Sequence, residues 1–65
     1  MNVDLLEYEM KKAGYRTPEQ RAEVLGLSIS SYYRRLNGTC EWSKKEMDIV
    51  SDLFGWEVMR AIFFD

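Results

Sequence analysis

The strongest constraint on the fold of this chain is a tripeptide, Gly26-Leu27-Ser28, which lies between two short segments with helical signals. Thr17 and Gln20 have the spacing of a capping box, so a helix begins there. Gly26 ends that helix, because glycine readily takes the left-handed conformation found at many helix ends. Ser28 is a favourable N-cap for a second helix that runs to about Leu36. The sequence therefore predicts two short helices joined by a tight turn.

Three further helices are predicted around this turn. Apolar residues on one helical face predict a first helix over about 3–13, with Val3, Leu6, Met10 and Ala13 inward. A second capping box, Ser43 to Glu46, begins another helix, which Gly55 ends, and an apolar segment over about 56–63 forms the last one. The 65 residues contain no linker or repeat. We therefore expect one domain, residues 1–65, folded as a compact all-α bundle of four to five helices.

Composition narrows the chemistry that the chain can perform. The sequence has no histidine and one cysteine, Cys40, so a zinc site or a Ser/His/Asp site lacks its ligands or its base. No phosphate-binding loop motif is present. We expect no enzymatic activity, no metal and no cofactor. A lone cysteine fits a reducing cytosol, and no apolar run approaches the roughly 20 residues of a membrane-spanning helix.

Charge is distributed unevenly along the chain. The net charge is −2, which by itself argues against nucleic-acid binding. Residues 15–45, however, carry six basic and three acidic side chains, whereas residues 46–65 carry five acidic side chains and one basic one. The segment with the two short helices is thus the basic part of the chain.

Three motifs cover nearly the whole chain: G-Y-x-T-x-x-x-x-A-x-x-L-G-L-S at 14–28, S-S-Y-Y-R-R-L-N-G at 30–38, and L-F-G-W…I-F-F at 53–64. In these motifs the chain resembles the lambda-repressor-like helix-turn-helix family, and within it the small Cro-type regulators of phages and prophages. The resemblance implies a central helix-turn-helix and a sequence-specific DNA-binding transcriptional regulator. It also implies a double-stranded, palindromic DNA operator, a homodimer at least on DNA, and a location in the cytoplasm of a bacterial host.

The resemblance assigns roles to particular positions. Base edges in the major groove would be read from the third helix, about Ser28–Leu36, by Ile29, Ser30, Ser31, Tyr33 and Arg34. Phosphates would be contacted around the ends of the second, third and fourth helices, by Arg16, Thr17, Arg35, Asn37, Ser43, Lys44 and Lys45. Arg34 is the foremost candidate, because a guanidinium pairs bidentately with guanine. Each of these residues also has a simpler interpretation as an ordinary surface or helix-capping side chain. Tyr32 and Leu36, one turn apart, are expected to face the core.

The apolar end of the chain predicts a self-association surface. Its large side chains exceed what one helix face needs, and they are Trp56, Val58, Met59, Ile62, Phe63 and Phe64. The alternative interpretation is that they only close a thin core.

A few positions depart from the family pattern. Pro18 lacks the backbone N–H and the polar side chain usual there, and Ile29 meets a thymine methyl but forms no hydrogen bond to a base. Arg21 occupies a position that is usually apolar, and Val24 one that is usually polar, so the second helix is either rotated or presents an exposed apolar surface. Ile49 would add to that surface. These departures keep open an alternative: an anti-repressor or modulator that binds a partner repressor protein rather than DNA.

Overall fold

Five α-helices follow one another in the computed structural model, which describes residues 1–64. They are α1 (Val3–Lys12), α2 (Pro18–Leu25), α3 (Ile29–Leu36), α4 (Lys44–Phe54) and α5 (Trp56–Phe63). The described residues contain no strand. The radius of gyration is 10.5 Å, so the helices form one globule and the predicted all-α class is confirmed. None of the helices in this part of the chain is long and apolar enough to cross a membrane.

Local signals set the helix boundaries. The Thr17 hydroxyl accepts a hydrogen bond from the Gln20 amide at 3.2 Å, and the Gln20 side chain accepts one from the Thr17 amide at 3.2 Å. This reciprocal pair confirms the first capping box. Ser43 and Glu46 form the second one in the same way. The first helix ends at Lys12, one residue before its predicted end.

The turn between α2 and α3 matches its prediction. Gly26 has a φ of 72°, a conformation that residues with a Cβ rarely adopt. The Leu27 amide then donates to the Ala22 carbonyl at 2.9 Å, which closes α2. Ser28 accepts from the Ser31 amide at 3.1 Å and so caps α3. The two helices therefore meet across three residues with their ends satisfied by local hydrogen bonds.

All five helices contribute to one core. Its fully buried side chains are Leu6 and Met10 of α1, Ala22 and Leu25 of α2, Tyr32 of α3, Val50 of α4 and Ile62 of α5. The inward orientation predicted for Tyr32 is confirmed, and Leu36 packs half-buried against the cluster. Ala13 is exposed, because α1 has already ended.

Two predicted surface residues belong to the core instead. Ile62 is fully buried, so its predicted place on a self-association surface is wrong. Ile49 is half-buried against the core cluster and adds nothing to an exposed apolar surface. Ile49 lies on α4 and Ile62 on α5, and these two helices pack on each other.

Arg21 is buried although it is charged. Its Nε donates to the Tyr15 carbonyl at 2.8 Å, and its guanidinium lies 3.6 Å from the Glu7 carboxylate of α1. These partners offset the desolvation of the charge. Val24 packs half-buried against the core as well. Helix α2 therefore accommodates both unusual residues without presenting a broad apolar surface.

The Tyr32 hydroxyl is a buried polar group without a well-aligned partner. No atom of residues 1–64 meets hydrogen-bond geometry with it. Burial raises the pKa of Tyr32, and the nearby Arg21 guanidinium offsets only part of that effect. The raised pKa means that the fold favours the neutral phenol over the phenolate. Titration of Tyr32 therefore does not lower the free energy of unfolding below the ordinary pKa of 10.0, but it does so in stronger alkali, where the phenol must ionise.

The two ends of the chain meet, which closes the bundle. The Asn2 amide donates to the Ile62 carbonyl at 2.6 Å, and α1 packs on α5. The Trp42 ring, from the loop before α4, lies 5.2 Å from the Phe63 ring between centroids. Trp42 thus packs against the core cluster.

Candidate nucleic-acid interface

Helix α3 presents a continuous outward face. Tyr32 is buried, so residues on the opposite side of the helix project into solvent. Ile29 is 43% exposed and Tyr33 49% exposed, and Ser30 and Arg34 are exposed as well. Ser30, Tyr33 and Arg34 follow Ile29 by one, four and five residues, a spacing that places all four on one side of the helix. Four of the five predicted base-reading residues therefore lie together.

Ser31 differs from the other four. It is half-buried, and its hydroxyl accepts a hydrogen bond from the Ser28 hydroxyl at 3.0 Å. Its carbonyl accepts a bond from Arg35 Nη1 at 3.3 Å. Ser31 thus takes part in the first turn of α3, and the base contact expected of it stays a prediction.

Arg34 and Arg35 are adjacent in sequence but lie in different environments. Arg34 is exposed, and its guanidinium forms no ion pair with residues 1–64. Arg35 is half-buried, and its Nε donates to Glu46 Oε1 of α4 at 2.7 Å. Of the two arginines, Arg34 is therefore the one available to a ligand on the outward face of α3.

The N-terminus of α2 is exposed and partly capped. The Gln20 side chain accepts hydrogen bonds from the amides of Arg16, at 2.8 Å, and Thr17. Arg16 itself is exposed and has no ion-pair partner in the described chain. A cation beside the positive end of a helix favours an anion nearby. Pro18 at the first helical position supplies no N–H to such an anion.

The other residues predicted to contact phosphates lie at the C-terminus of α3 and at the N-terminus of α4. The Asn37 side chain accepts from the Thr39 amide at 3.0 Å and thereby closes the turn after α3. The Ser43 hydroxyl donates to Glu46 at 2.6 Å. Lys44 is exposed and pairs with Asp48 at 3.0 Å, whereas Lys45 is exposed with no ion pair in residues 1–64.

Ion pairing changes the charge distribution that the sequence suggests. Three of the six basic side chains in residues 15–45 pair with acidic residues outside that segment: Arg21 with Glu7, Arg35 with Glu46, and Lys44 with Asp48. Within the described chain the basic side chains of the segment without an ion pair are Arg16, Arg34 and Lys45. The free positive charge is therefore about half of what the sequence count indicates.

Glu46 is the most constrained carboxylate of this region. Burial would raise the pKa of Glu46, but hydrogen bonds from Ser43 and the Arg35 guanidinium outweigh that effect and lower the pKa below its ordinary value of 4.5. A sequence pattern identified Glu46 only as a capping residue. Its partner Arg35 lies 11 residues away, and no local signal pairs them.

Acid should weaken the fold in part through Glu46. A carboxyl whose pKa is lower in the folded state stabilises the protein above its unfolded pKa, and the stabilisation is lost as the pH falls through the folded pKa. We expect urea unfolding to show a stability loss from about pH 5 downward. The loss should be smaller in Glu46→Gln, whereas Asp52→Asn, an exposed change on the same helix, should follow the wild type. Identical pH profiles for Glu46→Gln and the wild type would contradict this assignment.

Exposed aromatic residues mark both ends of α5. Trp56 at its start and Phe64 after its end are exposed, whereas Val58, Met59 and Phe63 pack half-buried against the core. Trp56 and Phe64 are about 12 Å apart along the helix axis, and the Arg60 guanidinium lies 5.8 Å from the Trp56 ring centroid. The predicted self-association surface thus reduces to two exposed aromatic residues with half-buried residues between them.

Comparison with known proteins yields no relative: no family model, no curated protein and no solved structure matches this chain. The family resemblance stays a prediction that rests on the residues quoted above.

Proposed function

We propose that this protein is a sequence-specific DNA-binding transcriptional regulator of Cro/repressor type, in which α2 and α3 form a helix-turn-helix and α3 enters the major groove. The observation that carries the proposal is the outward face of α3, where an unpaired arginine stands among Ile29, Ser30 and Tyr33. Arginine recognises guanine through two hydrogen bonds, and isoleucine contacts the thymine methyl. The proposal includes a location in the cytoplasm of a bacterial host.

Contacts to the phosphate backbone would orient α3 on the duplex. Arg16 and Lys45 are exposed cations without ion pairs in residues 1–64, and each stands next to the N-cap region of a helix. Helix N-termini favour anions because their N–H groups and dipole point outward. Lys44 could join them by exchanging Asp48 for a phosphate, since that exposed pair contributes little to stability.

A homodimer on a palindromic operator belongs to this proposal. One small module buries too little DNA for tight binding, and a two-fold pair reads half-sites about one helical turn apart. The exposed Trp56 and Phe64 rings, with the half-buried Met59 and Phe63, supply apolar surface for self-association. Ile62 does not contribute to it directly.

A second candidate is a regulator of the same fold that binds a partner repressor protein. It is favoured by the exposed Ile29 and Tyr33 side chains, which would serve as apolar anchors of a protein interface. The net charge of −2 favours it too. Affinity for a protein through such anchors would depend only weakly on salt.

Binding-site selection from a random duplex pool, followed by a salt series on the enriched sequence, separates the two candidates. We expect a palindrome to be enriched. If Arg16, Lys44 and Lys45 each neutralise a phosphate, a dimer displaces about six counterions, and log affinity should fall with log salt with a slope of about −5. No enrichment, with weak binding that is insensitive to salt, would contradict the DNA-binding proposal and favour the protein partner.

A further inference from the structure

A chain of polar contacts connects α3 to the N-terminus of α4. The Glu46 side chain is 8% exposed and Arg35 is 17% exposed, so both charges are largely removed from water. Glu46 Oε1 accepts from Arg35 Nε at 2.7 Å and from the Ser43 amide at 3.0 Å, and Oε2 accepts from the Ser43 hydroxyl at 2.6 Å. On the other side Arg35 Nη1 donates to the Ser31 carbonyl. One ion pair thus joins the cap of α4 to the first half of α3.

This ion pair is more than the α4 cap requires. A capping box works on an exposed helix end with a water-accessible glutamate. Burial of both charges carries a desolvation cost that offsets part of their attraction, so the pair adds less stability than its short distance suggests. What the pair supplies is a fixed geometry. The planar guanidinium bonds to Glu46 through Nε and to the Ser31 carbonyl through Nη1, so it sets the orientation of these two groups relative to each other.

The packing of α3 relative to α4 is the reason why such a connection matters. The closely packed helix pairs of the bundle are α4 with α5, α2 with α3, α1 with α5 and α2 with α4. Helix α3 packs most closely on α2 and joins the shared core through Tyr32 and Leu36. Its links to α4 include the loop 37–43 and the Arg35–Glu46 pair.

We infer that Glu46 and Arg35 are positioning residues, which hold the outward face of α3 at a fixed orientation to the N-terminus of α4. The inference rests on the proposed function, in which these two elements contact the bases and the phosphates of one duplex. It gives Arg35 a role through Glu46, in place of the phosphate contact that the sequence predicts. The DNA chemistry stays with Arg34 on the adjacent face.

Charge makes the inference testable, because positioning and simple electrostatics predict opposite results for Glu46→Gln. Removing a negative charge near DNA strengthens binding to a polyanion when only charge matters. A positioning role predicts the reverse: Glu46→Gln should weaken operator binding about tenfold, a loss within the range of measured coupling between contacting residues. Its affinity for unrelated duplex should stay the same or rise. The matched control is Asp52→Asn, an exposed change of the same charge on α4, which should bind the operator at least as well as the wild type.

Arg35→Lys provides a second variant with the positive charge retained. Lysine supplies a point charge but lacks the fork that joins Glu46 to the Ser31 carbonyl. The variant should lose operator affinity to an extent similar to Glu46→Gln, and the double variant should lose no more than either single one. If Arg35 instead contacted a phosphate directly, Arg35→Lys would keep most of the operator affinity, because lysine also binds phosphate. Any loss that it did show would be independent of Glu46 and would add to that of Glu46→Gln in the double variant. Additive losses, or operator affinity retained in either folded single variant, would overturn the inference.

A measurement without DNA keeps this test separate from the proposed function. Residual dipolar couplings of backbone amides report the orientation of α3 relative to α4 in the wild type and in Glu46→Gln, each at a temperature where circular dichroism shows it folded. We expect α3 to change orientation or average over several, while α4 and α5 keep their relation. If the wild type selects no operator, the proposed function fails, and the couplings alone decide the positioning role. Unchanged couplings in Glu46→Gln would overturn it.

Discussion

Replacement of Arg34 by alanine is expected to weaken the binding of each operator half-site by about 1–3 kcal/mol, which is roughly 5- to 150-fold per half-site. Arg34 lies on the outward face of α3 with no ion pair in the described chain, so its guanidinium is free to meet a base edge. If it pairs bidentately with guanine, the variant loses discrimination at that base pair in particular. Equilibrium titration of labelled operator and of single-base variants measures both effects.

Two control variants separate base recognition by Arg34 from its charge. Lys11→Ala removes one exposed positive charge from α1, and it should change operator affinity little. Arg34→Lys keeps the charge but loses the planar fork, and it should behave more like Arg34→Ala than like the wild type. Operator affinity that is unchanged in Arg34→Ala would show that α3 does not read DNA with this face.

Replacement of Leu6 by alanine should leave the protein largely unfolded at room temperature. Leu6 is fully buried in the cluster to which all five helices contribute. Truncation of a buried leucine costs about 2–5 kcal/mol, and the core of a domain this small rarely supplies more than about 3–5 kcal/mol in total. Urea unfolding followed by far-ultraviolet circular dichroism measures the change.

Tyr8→Ala is the matched control on the same helix. Tyr8 is exposed, and the Lys12 ammonium lies 5.2 Å from its ring centroid. Its replacement should alter stability by no more than about 0.5 kcal/mol. A Leu6→Ala variant as stable as Tyr8→Ala would mean that α1 does not pack on the bundle as described here.

Helix boundaries were the most predictable part of the fold. Thr17 with Gln20, Gly26 and Ser28 act through hydrogen bonds within four residues or through their own backbone preference, and the structure places them as predicted. The burial of Tyr32 was equally predictable, since one apolar face of a short helix must point inward. These features depend on near neighbours in sequence, so the sequence shows them directly.

The environment of charged and marginal apolar residues was less predictable. Arg21 appeared as an irregularity in α2, but Tyr15 and Glu7 satisfy it in the folded chain. Ile62 and Ile49 appeared as surface residues, but Ile62 is part of the buried core and Ile49 packs against it. Such outcomes depend on which helix lies opposite, and neither periodicity nor spacing contains that information.

By itself the sequence determined an all-α chain and most of its helix boundaries, because caps, glycines and apolar periodicity act locally. Only the tertiary structure decided which of its cations are free. Arg34 and Arg35 have the same chemistry, but adjacent residues point about 100° apart around a helix. Glu46 of α4 lies on the side of α3 to which Arg35 points and pairs with it, whereas Arg34 points to the side without a partner in residues 1–64. The approach of a second helix, rather than the identity of the residue, therefore separates the candidate DNA contact from the candidate positioning residue.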